Sequence, residues 1–397
     1  MFLPRRILSL CAILGFGLNG YAADFSFSGF ADMTAGKVLS GSLRGQGASG
    51  EFPKNYNCPC FVSNYEYGGV YQNNGWNAAN ESMVGIQANA HIDDQLSAVV
   101  QLDARGLNGY QASVDWAYVS YNLNNQFTVQ AGRKRLPLYM YSDYAYVGYA
   151  YPWIRPPVDL YGWEIYSYDG ANLQYNNTFG DWALSTNTWA GNSSLPNAPG
   201  LMNIYQQGSA IDTSWRDIIG TSFDLSNDYI HVRAVYMQNN YVQSLPVAGA
   251  VNTPYAGGRQ QVWGMAFNAD YNNWIWKSEY NYVRRPTNPY SNGAYQPGYV
   301  APSFFTGFGY KYQQVTLMYT YSQYWEHTSD LTYYSSPQRD NTRSVVMRWD
   351  FHTNAALKME YDLFKDHTAL YSNGVVSQFP YFAGDSKMLA VGLDVIF

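Results

Sequence analysis

Short polar turns and long loops alternate strictly along this chain, with stretches of period-2 hydrophobicity between them. The turns are Asp93-Asp94-Gln95, Asn124-Asn125, Gly180-Asp181, Ser226-Asn227-Asp228, Asn272-Asn273, Gln313-Gln314 and Thr353-Asn354. The long segments, rich in Gly, Pro, Asn and Tyr, cover roughly 40–80, 106–112, 137–164, 193–214, 243–258, 287–300, 328–340 and 368–385. Seven turns and eight loops connect sixteen strands, and an even number leaves both chain ends on the short-turn side. One-sided loop length of this kind belongs to a transmembrane antiparallel β-barrel.

The strands carry the matching side-chain pattern. Leu357, Met359, Tyr361 and Leu363 alternate with Lys358, Glu360 and Asp362. Val345, Met347, Trp349 and Phe351 alternate with Ser344, Arg348 and Asp350; Leu96, Ala98, Val100 and Leu102 alternate with Ser97, Gln101 and Asp103. Successive side chains of a strand point to opposite faces. In a barrel the apolar sets therefore meet lipid, and Asp103, Arg348, Asp350, Lys358, Glu360 and Asp362 line the lumen. Alternation alone equally suits a soluble lectin-like or propeller fold, so the loop asymmetry is what separates them. Composition points the same way: 13% of residues are charged, 18% are aromatic, and Tyr occurs 39 times. Pairs such as Trp274/Trp276, Tyr280/Tyr282, Tyr319/Tyr321, Trp349/Phe351 and Tyr118/Tyr121 near strand ends suit interfacial belts.

The N-terminus predicts export. Arg5 and Arg6 precede an apolar run, Ile7 to Leu18, too short to cross a bilayer, and Gly20-Tyr21-Ala22 offers a cleavage site after Ala22. Residues 1–22 are thus expected to be a signal peptide, and 23–397 a single barrel domain. Losing Arg5 and Arg6 takes the 23 basic residues to 21 against 29 acidic ones, a net of −8. That balance argues against nucleic acid as a partner. Cys11 leaves with the leader; Cys58 and Cys60 remain and are disulfide candidates in an oxidising compartment.

Motifs for chemistry are sparse. Gly45-Gln46-Gly47-Ala48-Ser49-Gly50 is followed by Glu51-Phe52-Pro53, which opens no helix, so it reads as a flexible loop. The five histidines are scattered without metal-ligand spacing, and no metal or other cofactor is expected. His327, Ser329 and Asp330 share a loop, and chance proximity explains them better than a catalytic triad. The chain is read as a non-enzyme.

The segment 126–164 is the most distinctive. Phe127 to Arg133 is a strand ending in Gly132-Arg133; Lys134-Arg135-Leu136-Pro137 opens a long aromatic, Pro-rich loop, the third of the eight. Pro152, Pro156 and Pro157 stiffen it by fixing φ. Strict alternation from Val129 and Ala131 sends Arg133 outward and Lys134 inward.

At these residues, and in the final strand ending on Phe397, the chain resembles the Gram-negative outer-membrane porins. It looks closest to porin-like proteins with a similar Ser-Asp…Tyr-Pro-Trp…Arg-Pro-Pro loop. The resemblance implies a sixteen-stranded homotrimer in which the third loop, here 137–164, folds into the barrel and narrows the pore. On that reading Arg105, Arg133, Lys134, Arg135, Asp143, Arg155, Asp159 and Glu164 form the constriction, with opposed charges setting a transverse field. Phe397 is then the signal read by the barrel-assembly machinery, and the outer-membrane lipid and small hydrophilic solutes are the partners. The implied activity is passive diffusion of such solutes and ions, the alternative a channel with a lumenal site for a sugar or aromatic solute. The third loop lacks an acidic, glycine-rich core and the first loop is unusually long, both departures from general porins.

Overall fold

A computed structural model describes residues 23–43, 56–204, 212–245, 253–254, 258–285, 288–289, 295–296, 298–328, 331, 337–372, 375–377 and 384–397. The expected signal peptide and the Gly45–Gly50 motif lie outside these residues.

The sixteen long strands are β1 (Asp24–Ser42), β2 (Met83–His91), β3 (Leu96–Arg105), β4 (Ala112–Asn122), β5 (Phe127–Arg135), β6 (Ser167–Phe179), β7 (Trp182–Leu195) and β8 (Asp212–Ser226). They continue with β9 (Ile230–Leu245), β10 (Gly258–Tyr271), β11 (Trp274–Arg285), β12 (Tyr299–Tyr312), β13 (Val315–Trp325), β14 (Arg339–His352), β15 (Ala355–Asp366) and β16 (Asp385–Ile396). Each pairs antiparallel with its sequence neighbour, and β1 closes the cylinder by pairing with both β2 and β16. Closure leaves no unpaired edge, which is what a sheet in hydrocarbon requires. Phe397 extends the seam, its N–H donating to Gly29 and its carbonyl accepting from Gly29.

The turns explain why register is fixed at the short-turn end. Asp93, Asn124 and Asn227 each accept two amides, two and three residues onward, at 2.7–3.0 Å. A side-chain acceptor of this kind substitutes for a ladder bond and nucleates the turn. Asn272 and Asn273 both take positive φ, as a two-residue hairpin of matching twist needs.

The outer wall is uneven. Strands β8–β15 carry outward aromatics in two tiers, with contacts such as Trp263–Tyr282 at 5.6 Å, Phe267–Trp276 at 4.7 Å and Trp276–Phe308 at 5.3 Å. Strands β2–β5 present mainly aliphatic side chains, Val84, Ile86, Val100, Leu102, Val114, Val119 and Val129, with Tyr121 near a short turn. Tyr118, expected in the belt, points inward, where the Lys134 ammonium lies 4.7 Å from its ring centre.

Candidate functional site

The third loop occupies the lumen, as expected, and makes it two-sided. Residues 136–166 bury Leu138, Tyr139, Tyr141, Tyr151, Trp153, Leu160, Tyr161 and Trp163 inside the barrel. The wall they meet carries apolar side chains on its inner face: Trp189 of β7, Trp215 and Ile218 of β8, Met237 of β9, Val262 of β10, Phe305 of β12, Met318 of β13 and Val346 of β14. Trp153 stands edge-on to Phe305 at 5.4 Å, and Trp163 edge-on to Trp215 at 6.2 Å. Dispersion and burial of these large rings anchor the loop.

Hydrogen bonds then fix it in place. Arg233 of β9 donates to the Tyr139 and Pro137 carbonyls at 3.0 and 3.3 Å. Glu279 of β11 accepts the Met140 N–H at 3.1 Å and the Tyr161 hydroxyl at 2.7 Å. The Trp153 indole donates to Thr320 at 2.8 Å, and the Tyr149 hydroxyl reaches the Thr353 carbonyl in a short turn at 2.7 Å. The loop thus extends down to the short-turn end.

The opposite half-wall is polar, and here the sequence-predicted lumen residues lie. Lys358 donates to the Gly148 and Trp153 carbonyls, both at 2.6 Å, and contacts Asp394 at 2.7 Å. Glu360 accepts the Ile154 N–H at 2.6 Å. Arg348 holds the Tyr149 and Tyr151 carbonyls and pairs with Asp350 at 2.7 Å. All five residues from Arg348 to Asp362 point inward; Lys358, Glu360 and Asp362 are covered by the loop instead of lining open water.

The residues named for the constriction sort as follows. Arg155 contacts Glu81 at 2.6 Å, Asp362 at 3.3 Å and Glu360 at 3.6 Å. Arg135 pairs with Asp115 at 2.8 Å, and Glu164 with Arg285 at 2.8 Å. Arg105 binds Asp103 and, at 3.5 Å, Glu66; Asp103 also accepts from Ser113 at 2.7 Å. Asp159 accepts from Ser322 and Thr342 at 2.6 and 3.1 Å, and burial pushes its carboxyl above the usual aspartate range. Lys134 points inward onto neutral partners, Gln130 and Asn172. Asp143 is exposed on the loop surface. Arg133 is the exception: it shares the outward face with Val129 and Ala131 and pairs with Asp169 at 3.2 Å, so it does not reach the lumen. Arg105, Arg135, Arg155 and Glu164 pair with opposite charges in direct contact, while Lys134 and Asp143 make no ion pair among the described residues. Cys58 and Cys60 are disulfide-bonded in the first loop.

Sequence reasoning missed Glu66, Glu81, Asp32, Arg233, Glu279 and Arg285. Asp32, Arg233, Glu279 and Arg285 were detectable as charges at inward parity within otherwise apolar strands. Glu66 and Glu81 sit in the first loop, where no periodicity assigns a direction. Burial raises both glutamates above the ordinary range, and the guanidiniums of Arg105 and Arg155 partly offset this.

Between the loop and the polar half-wall lies a cavity of about 80 Å³. Its walls include Asp32 and Thr34 of β1, Asn80–Met83, Ser63–Glu66 of the first loop, Arg105, and Tyr151, Ile154 and Arg155 of the third loop. Tyr146, also at its wall, is sandwiched between the Arg105 and Arg135 guanidiniums at 3.5 and 3.3 Å. Gly148 abuts Asp32 and Asp394 so closely that a Cβ there would sit 2.9 Å from an oxygen of each.

No family model and no curated protein matches this sequence. Solved structures do match over nearly the whole chain. The outer membrane channel DcaP of Acinetobacter baumannii is 12% identical, covers 94% of this chain and 97% of its own, and superposes with a TM-score of 0.58. The anion-selective porin from Comamonas acidovorans is 12% identical with a TM-score of 0.55, covering 95% of this chain and 100% of its own. The outer membrane protein OmpT of Vibrio cholerae, in its trimer form, is 10% identical with a TM-score of 0.55, covering 95% and 100%. At such identities the likeness is one of fold: a closed sixteen-stranded barrel of the outer-membrane porin type.

Proposed function

We propose that this chain is an outer-membrane channel for small hydrophilic solutes, exported by cleavage near Ala22, and that passage is selective. The carrying observation is the two-sided lumen. One half-wall is polar, as a solute path requires, while the third loop crosses the lumen and lines a charged cavity of about 80 Å³ beside it. A general diffusion pore needs a wide aqueous eyelet, whereas a solute-specific channel needs a confined site with a few convergent polar groups. Single-channel recording with a panel of ions and solutes tests the reading. Conductance that saturates with one class of solute supports selectivity; conductance that scales only with solute size supports general diffusion. No conductance at all overturns the channel.

The mostly aliphatic face of β2–β5 supports association of three copies. Lipid-facing walls gain from Trp and Tyr at both interfaces, and this face offers mainly aliphatic side chains, with Tyr121 at its short-turn end. Cross-linking between cysteines placed at Val100 and Val119 should trap trimers; monomers only would refute the face. Phe397 remains the candidate assembly signal, and its deletion should reduce folded barrel in the outer membrane while export continues.

A further inference from the structure

The cavity beside β1 is lined by residues with two buried polar atoms that have no hydrogen-bond partner among the described residues: Asp32 Oδ1 and Asn80 Nδ2. Both residues are only 6% exposed. Leaving buried polar atoms unpaired is costly, and native structures rarely do so without a reason. The other charges at the cavity wall are committed: Glu66 to Arg105, Glu81 to Arg155. Asp32 lies directly across from Asp394 in the β1–β16 ladder, and the Lys358 ammonium contacts Asp394. Asp32 receives the Gly148 N–H at 3.1 Å on its Oδ2, and its Oδ1 lies beside the Asp394 carboxyl at Gly148. Among the described residues the wall therefore carries one carboxylate in excess of its cations and one amide donor in want of an acceptor. Ile154 and Val158 supply the apolar part of the lining. The space, about 80 Å³, is several times the ~10–15 Å³ that one water needs.

We propose that this cavity is a binding subsite for a compact solute bearing an ammonium group beside a carbonyl or carboxylate oxygen, an amino-acid-like zwitterion. Asp32 takes the ammonium, the Asn80 amide donates to the oxygen, and the apolar lining receives a short side chain. This rests on the selective-channel reading above and names its solute class.

The test uses the full folded chain, in detergent for calorimetric titration and in planar bilayers for current. L-alanine is the probe; methylammonium, acetate and glycerol are the comparators. Alanine should bind saturably and reduce the ionic current, with the comparators far weaker. Asp32→Asn, which keeps an acceptor for the Gly148 N–H, should weaken alanine binding by about tenfold or more, the scale of a lost charge-assisted bond. Asn80→Ala should weaken it several-fold, and a heat-modifiable band confirms that each variant is folded. Alanine binding no better than glycerol overturns the subsite, as it would if a proton shared between Asp32 and Asp394 satisfied the pair. Unchanged alanine affinity in both variants overturns it too. Alanine binding without conductance leaves the subsite standing and removes the channel; conductance without alanine binding does the reverse.

Discussion

The two half-walls of the lumen are built from the same strand geometry and hold the same loop by different forces. Under β7–β14 the inner face supplies most of the apolar contacts, which the loop meets with Trp153, Trp163 and a run of tyrosines, while Arg233, Glu279, Thr320, Ser322 and Thr342 bond to it. Under β15, β16 and β1 the inner face is charged, and Lys358, Glu360 and Asp32 meet the loop through its backbone. Apolar packing is insensitive to salt and pH and tolerates sliding; charge-assisted bonds to backbone groups fix position and respond to both. Apolar anchoring is thus concentrated on one side, polar placement is shared by both, and the cavity lies on the side where charge dominates.

Removing Tyr144 to Pro157 tests the comparison most severely, because it detaches the loop from both sides. Single-channel conductance should rise about several-fold and larger solutes should pass, since the loop occupies cross-section that ions would use. Unchanged conductance would mean the loop obstructs nothing.

A smaller effect should come from each side separately. Phe305→Ala opens a cavity under Trp153 and should destabilise the folded barrel by about 3–5 kcal/mol, read as a lower melting temperature of the heat-modifiable band, with ion preference unchanged. Lys358→Met leaves the Asp394 carboxylate without its cation. It should destabilise by a similar amount, about 3–5 kcal/mol, and also raise cation preference in reversal-potential measurements. If both variants shift ion preference alike, the division of labour between half-walls is wrong.

Thiol labelling sharpens the polar side. In a background lacking Cys58 and Cys60, cysteines at Arg348 and Asp350 should react with a hydrophilic reagent. Those at Lys358, Glu360 and Asp362 should stay protected until residues 144–157 are removed. Reaction at Met359 would place the register one residue out, since a slip of one inverts every side chain.

The smallest effect concerns pH. Burial raises the Asp159 carboxyl and outweighs the opposing pull of the Ser322 and Thr342 hydroxyls, so the loop's buried position is favoured while Asp159 is protonated. That contribution is full at acidic pH, below the unfolded value of about 4, and is lost as pH rises through the higher folded value. Current noise from loop motion should therefore grow from acid toward neutral pH and be flattened in Asp159→Asn. Identical pH profiles in parent and variant would exclude Asp159 as the group.

Strand number, turn positions, one-sided loops and the inward parity of Lys358, Glu360 and Asp362 were all legible in the sequence, because they follow from a period of two and from turn chemistry that is local. Local rules also placed Arg133 outward and Lys134 inward. They failed where an apolar side chain sits at inward parity among polar ones. In β13, Met318 stands among Thr316, Thr320 and Ser322 on the inner face, and nothing local marks it as a contact for a distant loop. Nor does any local rule pair Arg155 with Glu81, 74 positions away, or bring Asn80 to the same cavity as Asp32. The sequence by itself determined a closed barrel, because backbone hydrogen bonding and side-chain alternation are nearest-neighbour properties. Only the tertiary structure decided which charges are spent on one another and which one is left over, because that depends on where a folded loop comes to rest against a wall assembled from the whole chain.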